Sequence, residues 1–286
     1  MKVVVLAGGF GGARFARALA ANAEDVTIVG NVGDDTEILG LHISPDLDSI
    51  LYSLTGLGDE ERGWGRKDET WNALDTVAAL GGESWFQLGD RDLGLHLVRT
   101  QALRIGEPLS AVTKRLAAAL GVEAALLPAT DDMLRTWVET PAGDFPFQDW
   151  YVGRGHRDEV TGVRYEGDAQ AAPGVLEALE AADLIALAPS NPYLSIGPIL
   201  AVPSIRAALE QRRAPAVAVS PLIGGGTVKG PADRMLARLA GGTEPKHVAD
   251  CYKGLIDALV IDEADDPGGL DVTPIVTRTL MTDAAA

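Results

Sequence analysis

The sequence predicts an α/β fold, a mostly parallel sheet flanked by helices in Rossmann-like fashion, with a smaller inserted α+β region. Two observations carry this expectation. Short apolar segments alternate with stretches of helical period, giving repeated βαβ spacing. The unusual polar residues fall at predicted strand ends, where open parallel sheets bind their ligands. A chain of 286 residues with 47% hydrophobic content can bury a large core, and no repeat or long Ser/Gly linker divides it, so residues 1–286 read as one domain.

In chain order, Lys2 to Ala7 reads as a strand, Ala13 to Ala21 as a helix, Val26 to Val29 as a second strand and Asp46 to Leu54 as a helix. Residues 70–80 place Trp71, Leu74, Val77 and Ala78 on one helical face, and Trp85 to Leu88 reads as a short strand. Helices follow over Leu93 to Leu103 and, after Pro108, Leu109 to Leu120, and then a strand over Ala124 to Leu127. Residues 133–165 alternate polar and apolar side chains and are rich in aromatics, which predicts an antiparallel excursion within an insertion at about 90–170. From Pro173 the alternation resumes: helix to Ala181, strand Asp183 to Ala188, helices after Tyr193 and Pro203, strand Ala216 to Ser220, and helices from Pro231. Ala258 to Asp262 is expected as the final strand, leading into a solvated acidic turn at 262–266.

Charge and cysteine content exclude several function classes. A formal net charge of −17 disfavours nucleic acid and acidic lipid, which need a basic face. One cysteine, Cys251, forms no internal disulfide, in keeping with a reducing cytoplasm. The N-terminal apolar run is too short to span a bilayer and enters a glycine loop directly, so it reads as a core strand and not a signal or membrane segment. The four histidines are scattered, without the spacing of a zinc site.

The run from Gly8 to Arg14 is the most informative stretch, because a strand empties into four glycines and an arginine before a helix. Glycines remove the Cβ atoms that keep a ligand from the backbone, and the helix start offers free N–H groups to a phosphate. Gly9, Gly11, Gly12 and Arg14 are therefore phosphate-binding candidates; the plain alternative is a βα turn that packs closely. Arg14 stands where a dinucleotide fingerprint wants Gly or Ala, and the loop lacks the Lys-Ser/Thr of a Walker loop.

Acidic residues gather after the second strand. Asp34, Asp35 and Asp48 are candidates to bind a hydrated magnesium ion or to accept a proton, against a turn at Asp34-Asp35; Asp46 reads as a helix cap. Arg91 falls in a first helical turn, where the helix dipole disfavours a cation, so either a ligand or neighbouring Asp92 must offset it. Ser190-Asn191 between two prolines reads equally as a stiff cap or a ligand contact. Gly224, Gly225 and Lys229 belong to a second glycine loop, read as a second phosphate cradle or as a lid without ligand contact.

Taken together, Gly8-Gly-Phe-Gly-Gly-Ala-Arg14, Asn31-Val-Gly-Asp-Asp35, Ser44-Pro-Asp-Leu-Asp48, Trp64-Gly, Leu88-Gly-Asp-Arg-Asp92, Pro189-Ser-Asn-Pro192 and the Ser220 to Gly230 loop resemble, in order, the CofD family over nearly the whole chain. The resemblance implies a cytoplasmic, homodimeric, magnesium-dependent transferase of coenzyme F(420) biosynthesis. Such an enzyme joins the deazaflavin Fo to a phosphorylated three-carbon acid, enolpyruvyl or lactyl, carried on guanosine diphosphate, and releases GMP. It implies that Asp48 and Arg91 contact Fo and serve catalysis, that Gly9, Gly11, Gly12, Asn191 and the Gly224 to Lys229 loop bind the GDP side, and that Asp34, Asp35 or Asp48 holds magnesium. Two rivals are a regulatory protein of the gluconeogenesis-factor type that binds a nucleotide sugar, and an ordinary NAD enzyme. Asn31, standing where NAD enzymes place an acid, and the absent third glycine count against the latter.

Overall fold

A computed structural model describes residues 1–281. The first half runs β1 (Lys2–Ala7), α1 (Gly9–Asn22), β2 (Asp25–Gly30), a hairpin of β3 (Thr36–Ile38) and β4 (Leu41–Ile43), α2 (Pro45–Leu54), α3 (Asn72–Ala79), α4 (Asp90–Arg104), α5 (Leu109–Ala119) and β5 (Ala125–Pro128). There follow β6 (Arg135–Thr140), β7 (Gly143–Pro146), β8 (Gly162–Glu166), α6 (Val175–Ala181), β9 (Leu184–Leu187), α7 (Gly197–Leu200), α8 (Pro203–Glu210) and β10 (Ala216–Val219). The chain continues through a hairpin of β11 (Leu222–Ile223) and β12 (Gly226–Thr227), α9 (Ala232–Leu239), α10 (Pro245–Cys251), β13 (Ala258–Ile261) and β14 (Thr273–Val276).

Seven strands form one parallel sheet in the order β14-β13-β10-β9-β1-β2-β5. The period of two along β1 explains the layers: Val4 and Leu6 enter a core shared with α6, α8 and α10, and Val3, Val5 and Ala7 enter a second core shared with α1, α2 and α5. A sheet buried on both faces needs apolar residues at nearly every strand position, which is how β1 reads.

β5 pairs with β2, so α4, α5 and β5 belong to the main layers and the excursion is narrower than 90–170. It comprises the antiparallel sheet β7-β6-β8, with its own core of Val138, Phe147, Trp150 and Val160 closed by Leu194 and Met235. Residues 85–88 form no strand; Trp85 and Phe86 pack edge-on against each other, with ring centroids 5.6 Å apart. β14 follows the strand expected to be last. Its four residues are all exposed and include Pro274, so neither apolar run nor alternation marks it. Helix α1 begins at Gly9, drawing the glycines into its first turn.

No single helix among the described residues is long and apolar enough to cross a membrane; the bent pair 192–200 and 203–210 passes by composition alone and buries Ile199, Val202, Ile205 and Leu209 in the first core.

Gly33 positions the loop after β2. Its carbonyl accepts from Thr136 N at 2.6 Å, and an added Cβ would stand 2.5 Å from Pro198 Cβ and 2.7 Å from Thr136 Oγ1. A proline ring cannot swing aside. Gly33→Ala is expected to cost roughly 1–3 kcal/mol of stability by overpacking, read by urea unfolding; an unchanged midpoint would mean that the loop is not wedged there.

Candidate functional site

A cavity of about 750 Å³ opens at the carboxyl ends of β1, β2, β9 and β10. Its walls come from the glycine loop at 8–11, the start of α2, the 60–65 loop, the 147–156 turn of the excursion and the segments 189–195 and 220–232.

The glycine loop lies against the segment after β9. A Cβ on Gly11 would stand 2.9 Å from Pro189 O, and one on Gly12 would stand 2.6 Å from Ser190 Oγ, which itself donates to Gly8 O at 2.7 Å. Gly9 adopts φ +67, which glycine takes without strain. Gly9 and Gly11 line the cavity, whereas Gly12 is buried and serves packing. The N-cap position of α1 is Gly8, which has no side chain to cap it; Asp46 approaches Gly9 N from α2, and the first turn faces the cavity with Arg14 one turn on. Asn191 also lines it, and its Oδ1 caps the following turn through Tyr193 N and Leu194 N, which is the cap expected from the sequence.

At the end of β2, buried Asn31 bridges two acids. Its Nδ2 donates to Asp34 Oδ1 at 2.6 Å and to Asp46 Oδ2 at 2.9 Å, and its Oδ1 accepts from Gly33 N. Burial, with Asp46 and Asp35 close by, pushes Asp34 well above the usual carboxylate range. Burial likewise raises Asp46 to about 6, against the lowering effect of its bond from Asn31. Both acids line the cavity, and Gly8 admits them: a Cβ there would stand 2.5 Å from Asp46 Oδ2. Asp46 is thus no cap. Ser44 precedes the helix, and Asp46 sits in its first turn facing Asn31.

The acids expected to hold magnesium do not converge. Among the described residues, no group of three or more His, Cys, Asp or Glu is arranged around an ion. Asp35 lies outside the cavity lining and turns its Oδ2 to Ser44 Oγ at 2.8 Å and His42 Nε2 at 3.0 Å. Both oxygens of Asp48 accept from the guanidinium of Arg99, Nη1 at 3.1 Å and Nη2 closer. Two carboxylates completed by substrate phosphates and water suit magnesium, and the donor set that fits is Asp34 with Asp46.

Helix α4 supplies the other polar wall. Asp92, His96 and Arg99, at i, i+4 and i+7, point inward, while Leu97, Val98 and Ile105 are exposed. Arg99 is 1% exposed; burial opposes its charge, but Asp48 more than offsets this and holds it protonated. Tyr52 donates to Asp92 Oδ1 at 2.5 Å. Reciprocal caps fix the start of α4: Glu69 accepts from Arg91 N and Asp92 N, and Asp90 accepts from Asn72 N and Ala73 N of α3. Arg91 itself is exposed and does not line the cavity. Sequence reasoning missed Asp46, Tyr52, His96 and Arg99 as site residues; the polar stripe at helical spacing on α4 was the available signal.

The second glycine loop is a hairpin. Gly224 and Gly225, at φ +58 and +75, are the two-residue turn joining β11 to β12, and Gly225 N donates to Asp265 Oδ1. Neither lines the cavity, because the turn points at the acidic segment after β13. Lys229 does line it, donating to Arg62 O and Gly63 O, both at 2.9 Å, across its rim.

Burial raises Asp92 to about 6, partly countered by its bond from Tyr52. For an acid with a raised folded pKa, the folded chain binds the extra proton, so the stabilisation is complete below the ordinary value of 3.8 and is lost as pH rises through about 6. Asp92→Asn, which still accepts from Tyr52, is therefore expected to flatten the fall in stability between about pH 4 and 6 in denaturant titrations. An unchanged slope would place the charge elsewhere.

The CofD family, described as 2-phospho-L-lactate transferase CofD, matches residues 3–270. The chain is 46% identical over 275 residues to a phosphoenolpyruvate transferase of Streptomyces griseus, covering 93% of this chain and 86% of the relative. It is 42% identical over 316 residues to a phosphoenolpyruvate transferase of Mycobacterium sp. strain JLS, covering 100% and 95%. A crystal structure of a upf0052 family protein from Bacillus halodurans shares the fold, with a TM-score of 0.64 at 19% identity over 99% of this chain and 96% of that one. With the family matched over nearly all its length, the chain belongs to the CofD family of transferases.

Proposed function

We propose that this chain acts in coenzyme F(420) biosynthesis, joining Fo to the phosphorylated three-carbon acid of a guanosine diphosphate-activated donor and releasing GMP. Relatives named phosphoenolpyruvate transferase favour the enolpyruvyl donor over the lactyl one. One observation carries the reading: a glycine loop with Arg14 lies directly against the Asn31-bridged pair Asp34 and Asp46 in a single cavity. Anion-seeking and cation-seeking groups side by side suit a diphosphate and its metal.

In this reading the terminal ribityl hydroxyl of Fo attacks the phosphorus that carries the acid. A new O–P bond forms, the bond to GMP breaks, and the hydroxyl proton passes to solvent. Asp34 and Asp46 would hold magnesium, which neutralises charge on the phosphoryl oxygens. The N–H groups that open α1, with Arg14, receive the diphosphate. Lys229 commits two of its three donors to the 62–63 carbonyls, leaving one for an anion. Asp48, its plane set by Arg99, accepts from Fo. No covalent intermediate is required, and alignment with charge neutralisation supplies the rate. One free cysteine accords with a cytoplasmic setting.

The test is transfer itself, with purified chain, Fo, enolpyruvyl-diphosphoguanosine and magnesium, followed by the release of GMP. The wild type is expected to turn over, and Asp46→Asn to lose about two to three orders of magnitude in rate. The same variant should lose the rise in melting temperature that magnesium gives with GDP present, while its metal-free stability holds or increases because a buried like-charge contact is gone. Tight binding of a nucleotide sugar with no transfer to Fo would replace this reading with a regulatory one.

A further inference from the structure

His96 is 3% exposed, lines the cavity and sits between Asp48 and Arg99. Its Nδ1 lies 3.4 Å from Arg99 Nη1 and 3.7 Å from Asp48 Oδ2. A guanidinium nitrogen only donates, so Nδ1 must accept, and the ring proton belongs on Nε2. Nε2 has no hydrogen-bond partner among the described residues, nor is it among the polar atoms sealed without one, so it opens to the cavity. Burial pushes the ring down to about 4 against the opposing pull of Asp48, and neighbouring Arg99 also disfavours a second proton, so the imidazole stays neutral. An N–H that opens to a ligand cavity without a protein partner is held by water until a ligand oxygen replaces it.

Resting on the transferase reading, we propose that His96 is a substrate-contacting residue that donates from Nε2 to an oxygen of Fo, its tautomer fixed by Arg99, beside Asp48 as the matching acceptor. Arg99 then acts as a positioning residue for both: its two terminal nitrogens set the carboxylate plane of Asp48, and one of them also sets the imidazole. The pair presents one N–H donor and one charged acceptor, complementary to an oxygen next to a hydrogen donor. Fo offers that pattern both at its pyrimidinedione edge and along its ribityl chain.

The first measurement needs no ligand. Nitrogen-15 NMR of histidine-labelled protein at pH 7 is expected to show His96 neutral and protonated on Nε2; an Nδ1–H tautomer or an imidazolium would overturn the proposal even if no variant folds. The second is titration of Fo fluorescence. His96→Phe is expected to weaken Fo binding about tenfold, and His96→Gln, which keeps an N–H donor, to recover most of it, with GDP affinity within about twofold of wild type. Wild-type Fo affinity in His96→Phe, alongside weakened binding in Asp48→Asn, would make His96 a packing residue and leave the transferase reading standing. If the wild type binds no Fo under any condition, the Fo reading fails instead, and the NMR result still decides the donor. A 10-methyl analogue lacking the ribityl chain separates the two sources: a penalty that persists assigns the contact to the ring edge, and one that disappears assigns it to the hydroxyls.

Discussion

The site depends on one buried amide. Asn31 follows β2, fully buried, and donates to Asp34 and Asp46 at once, holding two nearly buried carboxylates beside each other at the cavity wall. An amide is the side chain that can do this without adding charge, since its NH₂ gives two donors while its oxygen accepts from Gly33 N. The arrangement is electrostatically uphill until a proton or cation arrives, and the raised pKa values of both acids express that. A site that waits for positive charge at neutral pH suits phosphates that arrive with a metal.

Close backbone approach makes room for the pair. Gly8 lets the glycine loop press on Asp46, Gly33 wedges the following loop against Pro198, and Gly11 and Gly12 seat the loop on residues 189–190. These glycines bring α1, the end of β2 and the segment after β9 into one crevice, at the strand ends where parallel sheets place their ligands. On the far wall the ionic arrangement differs. Arg99 meets both oxygens of Asp48 with two hydrogen bonds, which fix the plane of that carboxylate.

The sheet was legible because its strands are buried on both faces and interrupted by glycine and proline, as in β1 with its glycine loop and in β9 before Pro189. β14 escaped because an exposed edge strand needs no apolar pattern. The N-terminal glycine loop was legible as a wall of the crevice; the acid pair beside it was not. Ser44-Pro-Asp46 reads as a helix start in sequence, and only the fold shows Asp46 meeting Asn31, fifteen positions away. Gly224-Gly225 was expected as a phosphate cradle or a lid, and the structure shows instead a two-residue hairpin turn at positive φ. On α4 the buried residues are mostly polar, Asp92, His96, Arg99 and Thr100, while Leu97 and Val98 are exposed, so hydrophobic periodicity does not mark its inward face.

The most direct measurement is a crystal structure of the chain grown with manganese and GDP, in which anomalous scattering locates the ion. The account predicts a peak bonded to Asp34 and Asp46, at about 2.1–2.2 Å as for a hard divalent cation on carboxylates, with diphosphate oxygens completing the shell. A peak on Asp35 or Asp48, with Asp34 and Asp46 left unligated, would contradict it.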